Sequence, residues 1–236
     1  MSGSRRVDLA GPDGADAPRL AGLLAAARLV CFPTDTVYGV GGLVTPAVLE
    51  AVAAAKGREA GKPLQVVYPN LELLLASLAF GPRLLGAVRR LLPGPFTLLL
   101  PYPPGLAFPP AGEVPHHTNG VWGVKETKVA TLGVRVPAWP SAARAFGELP
   151  FPLLASSANP SGGQAPRSLD EVDAGLLAAC DLVLDAGPVS GEASTIVDLS
   201  IYASDGGWRV LRRGTIDEKR VAALLAGAQG EEDARS

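Results

Sequence analysis

Strand-length apolar runs recur at Arg28 to Phe32, Leu64 to Tyr68, Phe96 to Leu100, Leu132 to Val136, Pro152 to Ala155, Leu182 to Leu184, Thr195 to Leu199 and Trp208 to Leu211, each flanked by turn residues. Helical spacing separates several of them. Thr45 with Pro46 opens one helix, Leu49, Val52, Ala53 and Lys56 keep its period, and Gly57 stops it. Asn70 is placed to cap Leu71 to Leu78, and a helix from Pro82 ends at Pro93-Gly94. Ser168 with Glu171, and Thr215 with Glu218, have the spacing of capping boxes. The last third crowds the Leu182, Thr195 and Trp208 segments together with Gly and Ser between them. The pattern therefore predicts one α/β domain with a mixed sheet, not a regular alternation of strand and helix.

Residues 103–128 interrupt the pattern. Pro103, Pro104, Pro109, Pro110, Gly112, Pro115 and the polar His116 to Asn119 read as a long loop or flap. Residues 1–15 are expected to be a flexible N-terminus, 16–228 a single catalytic domain and 229–236 a flexible, charged tail.

Composition narrows the function. With 236 residues, 47% of them hydrophobic, the chain has ample core material for one enzyme domain. A formal charge of −2 supplies no global pull on a phosphate backbone, so nucleic-acid contact would need a local basic patch. Cys31 and Cys180 are too few for a disulfide framework or a thiolate zinc site. No apolar run reaches membrane-spanning length, and the N-terminus lacks a signal-peptide core, which makes the cytoplasm the expected address.

Three segments can carry chemistry. In Phe32 to Gly42 a strand runs into Thr34, Asp35, Thr36, Tyr38 and a glycine cluster, which can present polar groups over a pocket or form a capped loop with Tyr38 in the core. Asp35 has an Asx-turn reading beside a catalytic one. In Lys56 to Leu64, three cations, Lys56, Arg58 and Lys62, lie within seven residues between a helix and a strand. Dipole matching accounts for cations late in a helix but not for Lys62, and a polyanion ligand suits the set. In Leu154 to Gly163, Ser156, Ser157, Asn159 and Ser161 end a buried strand in a Gly-rich turn, either an anion nest or an ordinary turn. Trp208 to Thr215 ends in Arg212 and Arg213, which alternation sends to opposite faces without saying which meets a pocket.

Other residues fit bland roles. His116 and His117 have no spaced ligands to complete a zinc set, so no metal site is assigned. Cys31 sits in a strand as a small core residue, and Ser157 lacks the setting of an α/β-hydrolase nucleophile. No GxGxxG or GxxxxGK[ST] occurs.

At these segments the chain resembles the threonylcarbamoyl-adenylate synthase family, often called the YrdC family. Pro33 to Gly39 is similar to its opening motif, Lys56 and Arg58 to its Lys-x-Arg signature, and Ser157 and Asn159 to its Ser-x-Asn signature. Pro93 to Thr97, Gly133 to Pro137, Ser194 to Asp198 and Arg213-Gly214 follow in the family's order. The resemblance implies a twisted mixed sheet with flanking helices around a concave basic cavity. It implies a reaction in which L-threonine, bicarbonate and ATP become threonylcarbamoyl-AMP and pyrophosphate, with Mg2+ on the phosphates. The product would pass to separate proteins that modify adenosine 37 of tRNA, and a weak tRNA contact is a further expectation. By motif, Lys56, Ser157, Asn159, Ser161 and Arg213 would hold the nucleotide. Thr34, Thr36, Tyr38, Arg58 and Lys62 would meet the other substrates, with Lys56 and Arg58 as the catalytic charges.

Two departures stand out. Some family members have a His in the strand where this chain has Val66 and Val67, and residues 112–130 match no family block. The rival readings are a module for double-stranded RNA or tRNA, and carbamoyl transfer as in the hydrogenase-maturation carbamoyltransferases. The first calls for a broad basic surface, the second for acylphosphatase and zinc segments that are absent here.

Overall fold

The computed structural model describes residues 4–11, 16–58, 64–106, 108, 112–120, 123–160 and 162–233. Eleven strands form one sheet: β1 Arg5–Asp8, β2 Val30–Pro33, β3 Tyr38–Leu43, β4 Gln65–Val67, β5 Phe96–Pro101, β6 Gly112–Gly120, β7 Gly123–Arg135, β8 Leu153–Ser157, β9 Leu182–Asp185, β10 Thr195–Asp198 and β11 Arg209–Arg212. Their spatial order is β1-β9-β2-β3-β8-β4-β7-β5-β10-β11, with β6 paired only to β7. Parallel pairs (β1 with β9, β9 with β2, β4 with β7, β5 with β10) stand among antiparallel ones, so the sheet is mixed as the crowded last third predicts. The helices are α1 Ala17–Ala26, α2 Pro46–Lys56, α3 Leu71–Ser77, α4 Pro82–Leu91, α5 Ala174–Ala179, α6 Tyr202–Asp205 and α7 Glu218–Asp233.

Local signals set several ends. Thr45 accepts from Val48 N at the start of α2, and Gly57 closes that helix at φ 59°, a left-handed conformation that glycine adopts without a Cβ penalty. Asn70 accepts from Leu73 N at 2.8 Å to cap α3.

Five expectations are corrected. Ser168 makes no side-chain cap; Glu171 instead takes the backbone N–H and guanidinium of Arg167, a stronger charged partner. Asp217, not Thr215, caps α7 by accepting from Arg220 N, while the Thr215 hydroxyl donates to the Ala193 carbonyl. Within the expected N-terminal tail, Arg5–Asp8 pairs in parallel with β9; residues 1–3 and 12–15 lie outside the described set. The expected tail begins inside α7, which runs to Asp233. The expected loop 103–128 contains the β6–β7 hairpin, with Gly112 opposite Thr131 and Gly120 opposite Gly123. Pro115 is tolerated there because β6 is an edge strand, where a missing N–H leaves no central ladder broken.

Period-two alternation divides the core between the two faces. Cys31, Val66, Leu154 and Val134 join the larger cluster with α2 and α4, while Val30, Phe32, Val67, Leu153 and Ala155 join the smaller one with α1 and Phe146. Burial on both faces explains why these strands read as continuous apolar runs. The smaller cluster covers its face only as far as β4 and β8. Across β7, β5 and β10 that same face carries Gly133, Arg135, Thr97, Leu99 and Ile196, and there a cavity opens.

Candidate functional site

The cavity has a volume of about 300 Å³ and spans the sheet from Gly39 on β3 to Arg212 on β11. One end is built by the turn between β2 and β3. Thr34 Oγ1 donates to the Val37 carbonyl at 2.7 Å and lies 3.1 Å from Thr36 Oγ1. Its single proton is thus spent on Val37, so the Thr36 hydroxyl is the donor of the pair. Thr36 Oγ1 in turn accepts from Arg135 Nη2 at 2.9 Å, and the same Nη2 meets Asp35 Oδ1 at 2.7 Å. Asp35 Oδ2 also accepts from Ala138 N.

This ion pair is nearly sealed from solvent, with side-chain exposures of 2% for Arg135 and 8% for Asp35. Burial pushes the Asp35 carboxyl up and the Arg135 guanidinium down, each against the pull of its partner. The pair ties the turn to β7, because removing either partner would strand a buried charge. Asp35 is committed to Arg135 and Ala138, neither of which is the partner of an Asx turn.

The corner beside the turn gathers cations. A Cβ at Gly41 would sit 1.8 Å from the Leu154 carbonyl, so only glycine lets β3 lie this close to β8. That approach sets Gly39 opposite Ser157. Lys56, the last residue of α2, is buried and donates from Nζ to the Ser157 carbonyl. Burial first, and then the neighbouring Arg58, lower its pKa to about 8. Arg58 lines the cavity and is itself pushed down by burial.

Of the side chains expected at the site, Thr34, Arg58 and Ser157 line the cavity and Lys56 is tied to Ser157. Lys62 and Ser161 lie outside the described residues. Four others are placed off the cavity wall. Thr36 is buried behind the wall, committed to Thr34 and Arg135. Tyr38 points away: its hydroxyl donates to the Gly187 carbonyl at 2.8 Å, accepts from Ala186 N at 3.0 Å and lies 3.2 Å from Asp185 Oδ1, so it pins the loop after β9. Asn159 Nδ2 donates to the Pro160 and Gly163 carbonyls, which folds the amide onto its own turn. Arg213 is exposed on the opposite side with Trp208, Asp217 and Glu218, and Arg212 takes the cavity position.

Sequence reasoning also passed over Arg135, Gln65, Thr97 and Ser194, all on the wall. Arg135 did carry a signal: one charge inside the apolar run Leu132 to Val136 has to be paired if that run is buried. The other three are common polar residues at strand ends, and only the tertiary fold brings them together.

The profile of the family described as telomere recombination (Sua5/YciO/YrdC) matches residues 22–214. A Mycobacterium tuberculosis protein provisionally named threonylcarbamoyl-AMP synthase is 32% identical over 209 residues, covering 86% of both chains. The threonylcarbamoyl-AMP synthase of Pyrococcus abyssi is 31% identical over 185 residues, covering 76% of this chain and 49% of that one. The crystal structure of P. abyssi Sua5 complexed with L-threonine superposes with a TM-score of 0.65 at 25% identity, over 94% of this chain and 61% of that chain. The chain therefore spans about three-fifths of that solved structure.

Proposed function

The chain belongs to the Sua5/YciO/YrdC family, and from that membership we propose that it condenses L-threonine, bicarbonate and ATP into threonylcarbamoyl-AMP and pyrophosphate. The observation that carries the reading is the cavity corner where Arg58, Ser157 and the carbonyl-anchored Lys56 face the Thr34 turn, with Arg212 on the opposite wall. A volume of about 300 Å³ suits small molecules, not an RNA duplex, which would be met by a broad basic surface.

The residues have plain tasks in this reaction. The threonine amine, once neutral, adds to the carbon of bicarbonate-derived carbon dioxide to give a carbamate. A carbamate oxygen then attacks the α-phosphorus while the bond to the β-phosphate oxygen breaks and pyrophosphate leaves. Lys56 and Arg58 supply fixed positive charge where negative charge grows in that step, and no enzyme nucleophile is required. Magnesium arrives with the triphosphate. Among the described residues no group of three His, Cys, Asp or Glu side chains is placed to hold a metal ion, and Asp35 is committed to Arg135. No described helix is long and apolar enough to cross a membrane. The labile mixed anhydride would be handed to separate proteins for transfer to adenosine 37 of tRNA.

Mass spectrometry of a reaction containing the protein, ATP, magnesium, bicarbonate and L-threonine is expected to show threonylcarbamoyl-AMP. ATP turnover indifferent to threonine would overturn the reading.

A further inference from the structure

Four side chains on the cavity wall form a hydrogen-bond chain that begins at an obligate donor, Arg212. Arg212 Nη2 donates to Ser194 Oγ at 3.1 Å, Ser194 Oγ lies 2.7 Å from Thr97 Oγ1, and Thr97 Oγ1 donates to Gln65 Oε1 at 3.0 Å. A guanidinium only donates and an amide oxygen only accepts. With the Thr97 proton spent on Gln65, the Ser194 proton goes to Thr97, and both hydroxyls are used. Reversing the Gln65 amide would send the Thr97 proton back to Ser194 and leave the Ser194 proton without an acceptor in the chain. Both orientations make three hydrogen bonds, but Ser194 is buried and Gln65 is only half-buried, so the orientation that pairs the Ser194 proton and turns the spare amide protons to the cavity is favoured.

That orientation leaves Gln65 Nε2 as the free end, with no hydrogen-bond partner among the described residues. Gln65 lies midway along the cavity, opposite Ala155 of β8 and beside Gly133 of β7, between the Arg58 end and the Arg212 end. Phosphate oxygens are best met by guanidinium and ammonium groups, and the two ends already supply those. A neutral amide held in one orientation at the middle suits the other anion of the reaction, the planar carboxylate of the amino acid.

We propose that Gln65 is a specificity-determining residue of this cavity, its Nε2 donating to the carboxylate of the amino-acid substrate. The proposal rests on the synthase reading above. A ligand without that oxygen would leave an oriented donor unpaired inside the cavity, which is how a polar pocket rejects near-analogues.

Gln65→Glu tests it most sharply, because glutamate keeps an acceptor for Thr97 while replacing the N–H pair with an anionic oxygen. By isothermal titration on the full chain, L-threonine affinity is expected to fall on the order of 30-fold, with L-threoninol, which lacks the carboxylate, falling far less. Gln65→Leu is expected to weaken threonine about tenfold and ATP by no more than about twofold. Equal losses for threonine and threoninol in the Glu variant, or an ATP loss in the Leu variant as large as its threonine loss, would overturn the proposal. So would variants of wild-type affinity in a protein that makes threonylcarbamoyl-AMP, and that result would leave the synthase reading standing. A wild-type protein that forms no threonine adenylate would remove that reading and this proposal together.

Discussion

The two ends of the cavity use similar polar residues in opposite ways. At the β2–β3 turn, Thr34, Thr36, Asp35 and Arg135 Nη2 are tied to one another, and Arg135 Nε is the one buried donor of the group without a partner among the described residues. Across β5, β10 and β4, the chain from Arg212 through Ser194 and Thr97 runs one way and leaves a donor at Gln65. Of the motif-like residues at the first end, Asp35 and Thr36 brace the turn behind the wall while Thr34 lines the cavity, and at the second end Ser194, Thr97 and Gln65 all line it. A polar cluster legible in sequence is therefore not automatically the part that touches substrate.

The largest effect that would break this contrast concerns Arg135. If Asp35 and Arg135 brace the turn, Arg135→Met strands the buried Asp35 carboxylate and is expected to cost about 3–5 kcal/mol of unfolding free energy in a urea titration. Adding Asp35→Asn should recover much of that loss, since the cost comes from an uncompensated charge more than from a lost attraction. A single-variant loss below about 1 kcal/mol would show that the pair does not hold the turn.

A smaller effect separates Arg212 from Arg213. Arg212→Ala is expected to weaken ATP about 30-fold, as befits one charged hydrogen-bonding group, and Arg213→Ala by no more than about twofold. Isothermal titration of both variants checks the order, and a larger loss in Arg213→Ala would return the nucleotide contact to the exposed side.

That pair also shows how far the sequence could be read. The apolar runs placed eight of the strands because burial on both faces leaves continuous hydrophobic stretches, and caps such as Thr45 and Asn70 act within their own turn. β1, β3, β6 and the first part of β7 were missed: their residues are charged, glycine-rich or proline-containing, and pairing with other strands makes them strands. Lys56, Arg58 and Ser157, which sit in compact motifs, are brought together at the cavity corner. Which of Arg212 and Arg213 lines the cavity was not legible, because adjacent arginines differ only in the face they occupy, and that depends on the register of β10 and β11, which shifts between Ile196 and Val197. A Cβ at Gly214 would lie 2.0 Å from the Ala193 carbonyl, so the chain leaves β11 tightly against the segment bearing Ser194.

The smallest expected effect probes the cationic corner by pH. In the free protein Lys56 has its pKa lowered to about 8, by burial first and then by Arg58, so it loses charge as pH rises through that value. Phosphate oxygens bound beside Nζ favour the ammonium form and draw the pKa back toward about 10.4. Between these two values the complex holds a proton that the free protein has released. ATP binding therefore takes up a proton in this window, and affinity must fall as pH rises, by about tenfold between pH 7 and pH 9. Lys56→Arg keeps its charge throughout, so its ATP affinity should stay flat over the range apart from any titration of ATP itself. Titrations at pH 8 in buffers of different ionisation heat would count the protons directly, at about half a proton per ATP for wild type and close to none for Lys56→Arg. A flat wild-type profile would place Lys56 away from the phosphates. A slope surviving in Lys56→Arg would assign the titration to another group, and the corner would then belong with the brace and not with the ligand-facing wall.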